Sequence, residues 1–317
     1  MTKLKETSTD ISFENNKEEL LRAIEQLRDL MDEDRFLRVR NDDNFLLRYL
    51  RCSNYYPETA LLKMQTYYRI KYQNPEWYIT DDSISCFKEE LNDQLYYVLE
   101  DKDRFGKCIY VNRLGMIDTS KTTMSRQSQL QDLFLECILD DENAQKHGLS
   151  VIVDLKNFSW TLLKWLTPSN VCIAVKKVES LPFKKIEFHV VNTSAVIKAA
   201  IKLVWPFLSY KTKENIHFHH DDWSSLQKTI PPECLPQQYG GTKLNLNVHE
   251  LLRIIPGSKQ GLKVPFPKGF MQGQKQHFES NANWFSVEVL PRVELGNLSR
   301  SRKHGNHQKR TRMKNRP

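Results

Sequence analysis

The sequence predicts an α/β protein: a helical N-terminal unit followed by a domain built on a mostly parallel sheet. Three observations predict it. Apolar residues recur at helical spacing through residues 17–80. From about Leu95, short runs rich in Val, Ile and aromatic residues alternate with helical stretches. The run "LSVIVDL" (149–155) is apolar almost without interruption, as expected of a strand covered on both faces.

The elements follow in order. "KEELLRAIEQLRDLM" places Leu20, Leu21, Ile24, Leu27, Leu30 and Met31 on one helical face. Two more helices are expected, one over about 42–51 and one opening at Pro57 and ending before Asn74-Pro75. "YYVLE" (96–100) and "KCIYVNRL" (107–114) read as strands around the polar turn "DKDRFG". A helix is expected over about 127–140, then the strand at 149–155. Thr167 and Pro168 supply an N-cap and a first helical position. "IEFHVVN" (186–192) and "NIHFHH" (215–220) are strands flanking a helix over 195–205. "YGG" at 239–241 reads as a tight turn that needs positive φ, not as a phosphate loop. The spacing divides the chain into a flexible N-terminus (1–16), a helical unit (17–85), an α/β domain (90–245) and a linker with a basic, disordered tail (246–317).

Composition narrows the function. The 317 residues are 39% hydrophobic and 27% charged, ordinary for a folded chain. The net charge of +8 is matched by eight cations in the last eighteen residues: Arg300, Arg302, Lys303, Lys309, Arg310, Arg312, Lys314 and Arg316. The body is therefore electrically balanced, which argues against nucleic acid as its partner. Six scattered cysteines without a CxxC pair suggest reduced thiols and a cytoplasmic location. No segment approaches the ~20 apolar residues needed to span a bilayer, and the first sixteen residues carry no secretory pattern.

Catalytic templates are scarce. The chain has no GxGxxG, no GxxxxGK[ST] and no GxSxG. His217, His219 and Asp221 match the H-x-H-x-D spacing of a zinc hydrolase, and the two histidines share a strand face. Asp222 stands where a further histidine is expected. The plainer reading is a strand whose histidines bond to neighbouring groups. No cofactor is expected, and a binding protein is favoured over an enzyme.

The helix at 195–205 carries only Lys198 and Lys202 as strongly polar residues. They share one narrow stripe, which leaves roughly 240° of the circumference apolar. Such a helix is either a central core helix or a lid with an apolar ligand beneath it and lipid above it. Trp205, a residue that favours a membrane interface, and Pro206-Phe207-Leu208 extend the apolar surface.

"DNFLLRYLRCSNYYPETALLKM…YYRIKYQNPEWY", "GLSVIVDLKNFSW…LTPSN", "HVVNTSAVIKAAIKLVWPFLSYKTKENIHFHH" and "IPPECLPQQYGGT" resemble the CRAL-TRIO lipid-transfer family. The likeness is greatest to the branch of the tocopherol carriers, retinaldehyde-binding proteins and clavesins. It spans about residues 20–245. The resemblance implies a sheet that floors a hydrophobic pocket, one bound lipid, and a mobile gate helix matching 195–205. Expected lining residues are Phe158, Leu166, Val175, Val178, Phe188, Val190, Ile197, Ile201, Val204 and Phe207. Lys198, Lys202, Leu203 and Trp205 are expected at the membrane face of the gate. In the tocopherol-carrier branch a basic cluster binds phosphoinositide headgroups. Lys184 and Lys211 match two of its positions, while Ser53, Ile186 and Asn215 stand where that branch has arginines. Lys185, Lys213 and Lys202 are candidates to compensate.

The expected function is transfer of a small hydrophobic lipid between membranes, with phosphatidylinositol bisphosphate bound near the gate. The expected partners are that lipid and an anionic membrane surface, touched transiently. Two alternatives stand beside it: a phosphoinositide-sensing scaffold without cargo, and the zinc hydrolase on His217, His219 and Asp221. Cargo identity, headgroup selectivity, oligomeric state and the role of the basic tail are not legible in the sequence.

Overall fold

Five strands form one sheet in chain order: β1 (Tyr96–Lys102), β2 (Cys108–Asn112), β3 (Leu149–Asp154), β4 (Ile186–Val191) and β5 (Ile216–His220). β1 and β2 form an antiparallel hairpin, and every later pairing is parallel. The parallel strands need crossover helices, which α4 (Met124–Leu139), α5 (Glu142–His147), α7 (Pro168–Ser180) and α8 (Ala195–Val204) supply. A short α6 (Trp160–Leu163) precedes α7, and α9 (Tyr210–Glu214) follows a 3-10 turn at Trp205–Phe207. α10 (Trp223–Gln227) and two further 3-10 turns close the domain.

Among the described residues the N-terminal unit holds three helices: α1 (Lys17–Glu33), α2 (Asp43–Cys52) and α3 (Pro57–Gln73). Ala23, Ile24, Leu27 and Met31 of α1 are buried against Phe45, Leu46, Tyr49 and Leu50 of α2 and Ala60 and Met64 of α3. Side-chain caps fix the starts: Asn16 for α1, Asp42 for α2, Thr123 for α4 and Thr167 for α7 each accept a backbone N–H. The 127–140 helix thus begins three residues earlier than its apolar pattern suggests, because the Thr123 cap sets its start.

The described residues of this computed structural model are 16–34, 37–79, 87, 90–91 and 94–243. The expected flexible N-terminus up to residue 15, Cys86, and the linker and basic tail from 246 onward lie outside them.

The sheet has two unlike faces, set by strand alternation. Register aligns Tyr110, Val151, Phe188 and Ile216 in one row across β2–β5. A second row on that face runs Tyr96, Asn112, Val153, Val190, Phe218 across all five strands. The opposite face carries Val111, Ile152, His189 and His217 in register. There Tyr97, Ile109, Val191, Leu226, Leu235 and Tyr239 form a buried cluster. The Tyr239 hydroxyl donates to Asp154 Oδ2 at 2.9 Å, which ties the C-terminal turn to the end of β3. Gly240 in that turn has φ +73°, and a Cβ there would meet the Trp223 side chain at 2.6 Å, so the "YGG" turn requires glycine for both reasons.

Candidate functional site: an apolar cavity beside a basic pocket

The first of the sheet's two faces does not meet a solid layer of helices. A cavity of about 390 Å³ lies between it and helices α4, α7 and the segment after α8. That volume is within the range of small-molecule sites, ~300–1,000 Å³. Val151, Val153, Phe188, Val190 and Ile216 form its floor. Leu135 of α4, Ala174, Val175 and Val178 of α7, and Phe158, Leu162, Trp165 and Leu166 form the walls. Val204 and Leu208 close one side.

Seven of the ten expected lining residues stand on this wall: Phe158, Leu166, Val175, Val178, Phe188, Val190 and Val204. Ile197, Ile201 and Phe207 are not among the lining residues. Ile197 is buried against Leu155 and Val190, and Ile201 packs on the same cluster. α8 therefore leans Ile197 and Ile201 onto Leu155, Val190 and their neighbours on the cavity face of the sheet, and of its inward residues only Val204 lines the cavity. Phe207 is half-buried in the 3-10 turn.

The outer face of α8 explains its composition. Lys198 and Lys202 are exposed, and so are Leu203 at 43% and Trp205 at 36%. Trp160, on the neighbouring α6, is 64% exposed, and Tyr210 is 76% exposed. These large side chains keep a third to three quarters of their surface in water. The Trp205 ring packs at 6.3 Å from the Phe218 ring, and Lys213 Nζ lies 5.8 Å from it. Glu179 at the end of α7 holds the segment after α8. It accepts the Ser209 amide at 2.9 Å and the Thr212 hydroxyl at 2.6 Å.

A second, polar pocket of about 220 Å³ adjoins the cavity and shares Val178, Glu179, Phe188 and Thr212 with it. Lys63, Lys184, Lys185 and Lys211 line it, with Ser209 and Asn215. Lys184 and Lys211, the two matches to the resemblance, are thus gathered here with Lys185, one of the three candidates to compensate, while Lys202 is exposed on α8. Lys213 is not on this wall and sits over Trp205 instead. Lys185 is ion-paired with Glu187. Lys63 belongs to α3, more than a hundred residues earlier, and only the packing of α3 near α7 brings it in. No local sequence signal marks it. Ser53 is buried and does not line this pocket, whereas Ile186 and Asn215 do.

The histidine motif lies on the opposite sheet face. His189 Nδ1 and His219 Nε2 are 3.0 Å apart, and His219 Nδ1 is 2.9 Å from the Ser225 hydroxyl. The His189 and His217 rings stack at 5.4 Å. His219 is thus spent on a histidine and a serine. Among the described residues, no group of three or more His, Cys, Asp or Glu side chains is placed to hold a metal ion. His189 is 0% exposed. Burial, then the nearby His219 and His217, push its pKa down to about 3, against the pull of Glu187. His219 is lowered too, chiefly by burial.

This gives a pH prediction. A histidine held below its unfolded value of 6.5 keeps the native state from binding a proton that the unfolded chain takes up. Stability is then full above pH 6.5 and falls as the solution is acidified toward pH 3. Between pH 7 and 5 the loss from His189 alone is about 2 kcal/mol, at ~1.4 kcal/mol per pH unit. Carboxylates held low, such as Glu187 at about 2, contribute only below this window. Urea unfolding at pH 7, 6 and 5 is expected to show that slope, and His189→Gln to flatten it.

Among the described residues, no helix is long and apolar enough to cross a membrane. Comparison with known proteins agrees with the geometry. Residues 92–241 match the model of the CRAL/TRIO domain. Clavesin-1 of Xenopus laevis is 30% identical over 239 residues, which cover 73% of this chain and 71% of that protein. Clavesin-2 of Homo sapiens is also 30% identical over 239 residues, covering 73% and 72%. The crystal structure of Sfh5 aligns with a TM-score of 0.42 at 14% identity, over 66% of this chain and 74% of that one.

Proposed function

The chain belongs to the CRAL-TRIO family, and from that premise we propose that it carries one small hydrophobic lipid in the cavity and moves it between membranes. The observation that carries this reading is the apolar cavity, closed on one side by a segment whose outer face exposes Leu203 and Trp205. Each buried CH₂ of a lipid is worth ~0.8 kcal/mol, so a free lipid leaves a bilayer slowly. A carrier must offer an apolar interior, and the mostly Val, Leu, Phe and Trp lining of this wall supports that reading. α8 is the gate. Its inner stripe rests on Leu155 and Val190, and its outer face meets the bilayer when the Glu179 contacts to Ser209 and Thr212 let go.

The direct test is mass spectrometry of an organic extract of the native protein, paired with transfer of a fluorescent lipid between vesicles. One lipid per chain and vesicle-to-vesicle transfer are expected. Repeated absence of both would favour a scaffold that senses membranes without cargo.

The basic pocket is the proposed phosphoinositide site. Its lysines attract phosphate as point charges, without the fork geometry of arginine. A phosphate there would stand beside Glu179 and weaken its hold on the gate segment, because the two pockets share that side chain. Lys63→Ala with Lys211→Ala is expected to weaken binding to vesicles containing phosphatidylinositol bisphosphate about 30-fold, at ~1 kcal/mol per lysine near the surface. Cosedimentation measures it. Undiminished binding would move the site elsewhere, the basic C-terminal segment being the next place to look.

A further inference from the structure

We propose that Ser209 is a phosphorylation site whose phosphate seats in the basic pocket and shuts that pocket to lipid headgroups. The regulation rests on the phosphoinositide reading above, whereas the seating of the phosphate does not.

Two hydroxyl side chains, Ser209 and Thr212, are among the described residues of the basic pocket. Thr212 is half-buried, and its hydroxyl donates to Glu179 Oε1 at 2.6 Å. Ser209 is exposed. Its oxygen accepts the Thr212 amide at 3.2 Å and lies 3.0 Å from the Thr212 oxygen. Thr212 spends its proton on Glu179, so Ser209 is the donor in that pair. Ser209 is thus the hydroxyl of this pocket that an enzyme can reach.

The backbone suits such an enzyme. Leu208 (φ −76°, ψ 137°) and Ser209 (φ −63°, ψ 158°) are extended, between the 3-10 turn and α9. A protein kinase takes its acceptor serine in an extended segment. Lys211 and Lys213, two and four residues further on, supply the kind of charge pattern by which kinases choose substrates. The step is phosphoryl transfer from a nucleoside triphosphate. The bond between the γ-phosphorus and the bridging oxygen breaks, and one from that phosphorus to Ser209 Oγ forms. The hydroxyl proton leaves to solvent and the nucleoside diphosphate departs.

Electrostatics decide where the new group goes. It carries about −1.5 to −2 charges at pH 7 and three acceptor oxygens. Glu179 already accepts the Ser209 amide at 2.9 Å, so its carboxylate repels the phosphate. Lys63 and Lys211 line the same pocket, and their side chains enter no ion pair among the described residues. Lys185 is held by Glu187. Lys63 and Lys211 together match the charge of one phosphate dianion. A headgroup arriving afterwards meets two spent lysines and a fixed anion. The same anion beside Glu179 loosens the contacts of the gate segment, so transfer continues but no longer responds to phosphoinositide.

Three measurements on the full chain test this. Peptide mass spectrometry of the protein isolated from its own cells is expected to find phosphate on Ser209, in the tryptic peptide 203–211. Phosphate absent from that peptide, or carried by Tyr210 alone, would overturn the proposal. Next, the chain is made with phosphoserine incorporated at position 209 and titrated by phosphorus NMR. The second pKa of a free phosphoserine is about 6, and two neighbouring cations should lower it to about 5. Lys63→Ala with Lys211→Ala should return it to the ordinary value. A value of about 6 in the otherwise unaltered chain would show that the phosphate does not seat there. Last, binding to vesicles containing phosphatidylinositol bisphosphate should fall about thirtyfold on phosphorylation, the loss expected from two lysines. Phosphatase treatment should restore it, which also shows that the phosphorylated chain is folded. Equal binding by the two forms sinks the regulation and leaves the phosphoinositide reading standing. An unmodified protein that ignores these vesicles defeats both, and the NMR titration still decides the seat.

Discussion

Replacing Leu203 and Trp205 together with aspartate is expected to slow lipid transfer between vesicles about a hundredfold while lowering thermal stability less than substitutions on the inner stripe of α8 do. Both side chains are partly exposed, at 43% and 36%, so the folded state gives up only part of their burial and the contact of Trp205 with Phe218 when they go. Their gain comes only when the outer face of α8 enters a bilayer. A Leu or Trp side chain leaving water gains ~1.5–3 kcal/mol. The lower figure suits two half-covered residues, and together they supply about 3 kcal/mol, or a factor near one hundred. Aspartates add a desolvation cost at the interface. The comparison variant is Ile201→Asp with Val204→Asp. Those two lie on the inner stripe, Ile201 against the Leu155 and Val190 cluster and Val204 on the cavity wall. Carboxylates there should lower stability as well as transfer. Transfer that is unchanged in the outer-face variant would remove α8 as the membrane contact.

The fold was largely legible because its signals are local. Strands β3 and β4 announce themselves as short apolar runs, and Thr167-Pro168 marks the start of α7, whereas the Thr123 cap is not read from the apolar pattern, which starts α4 three residues late. The composition of α8 marked it as unusual, since two lysines cannot cover a helix in water, but left a core helix and a lid both open. Helix phase, however, says which residues face inward and not what they meet. Ile197 and Ile201 face inward and meet Leu155 and Val190, not the cavity. Phe207 falls in a 3-10 turn, where the phase of a continuous helix no longer applies. Lys63 carried no signal at all: it enters its pocket by tertiary packing of α3.

The contact of the helical unit with the α/β domain carries the second large effect. Arg48→Ala is expected to destabilise the protein by about 3 kcal/mol, at the low end of the ~3–5 kcal/mol for breaking a buried ion pair. Arg48 on α2 is almost wholly buried and crosses to α4, donating to Glu136 Oε2 at 2.9 Å and to Asp140. Glu136 also accepts the Tyr67 hydroxyl at 2.8 Å. Burial pushes the Glu136 carboxyl up, but Arg48 and then Lys71 outweigh it and hold it below its ordinary value. Removing Arg48 leaves that carboxylate buried with less compensation. Asp140 is partly exposed, so its share of the loss is screened by water, which is why the low end applies. For a body of this size the loss corresponds to a melting point lower by about 6–12 °C. Its pH dependence identifies the cause. A carboxylate held low stabilises above its unfolded pKa, near 4.5, and the contribution disappears as acid protonates it. The gap between Arg48→Ala and the unaltered protein should therefore narrow below about pH 4. Arg48→Met, which keeps an aliphatic stem but removes the guanidinium that lies over the Phe45 ring, should narrow it in the same way. A gap that stays constant from pH 7 to pH 4 and below would assign the loss to packing and not to the ion pair.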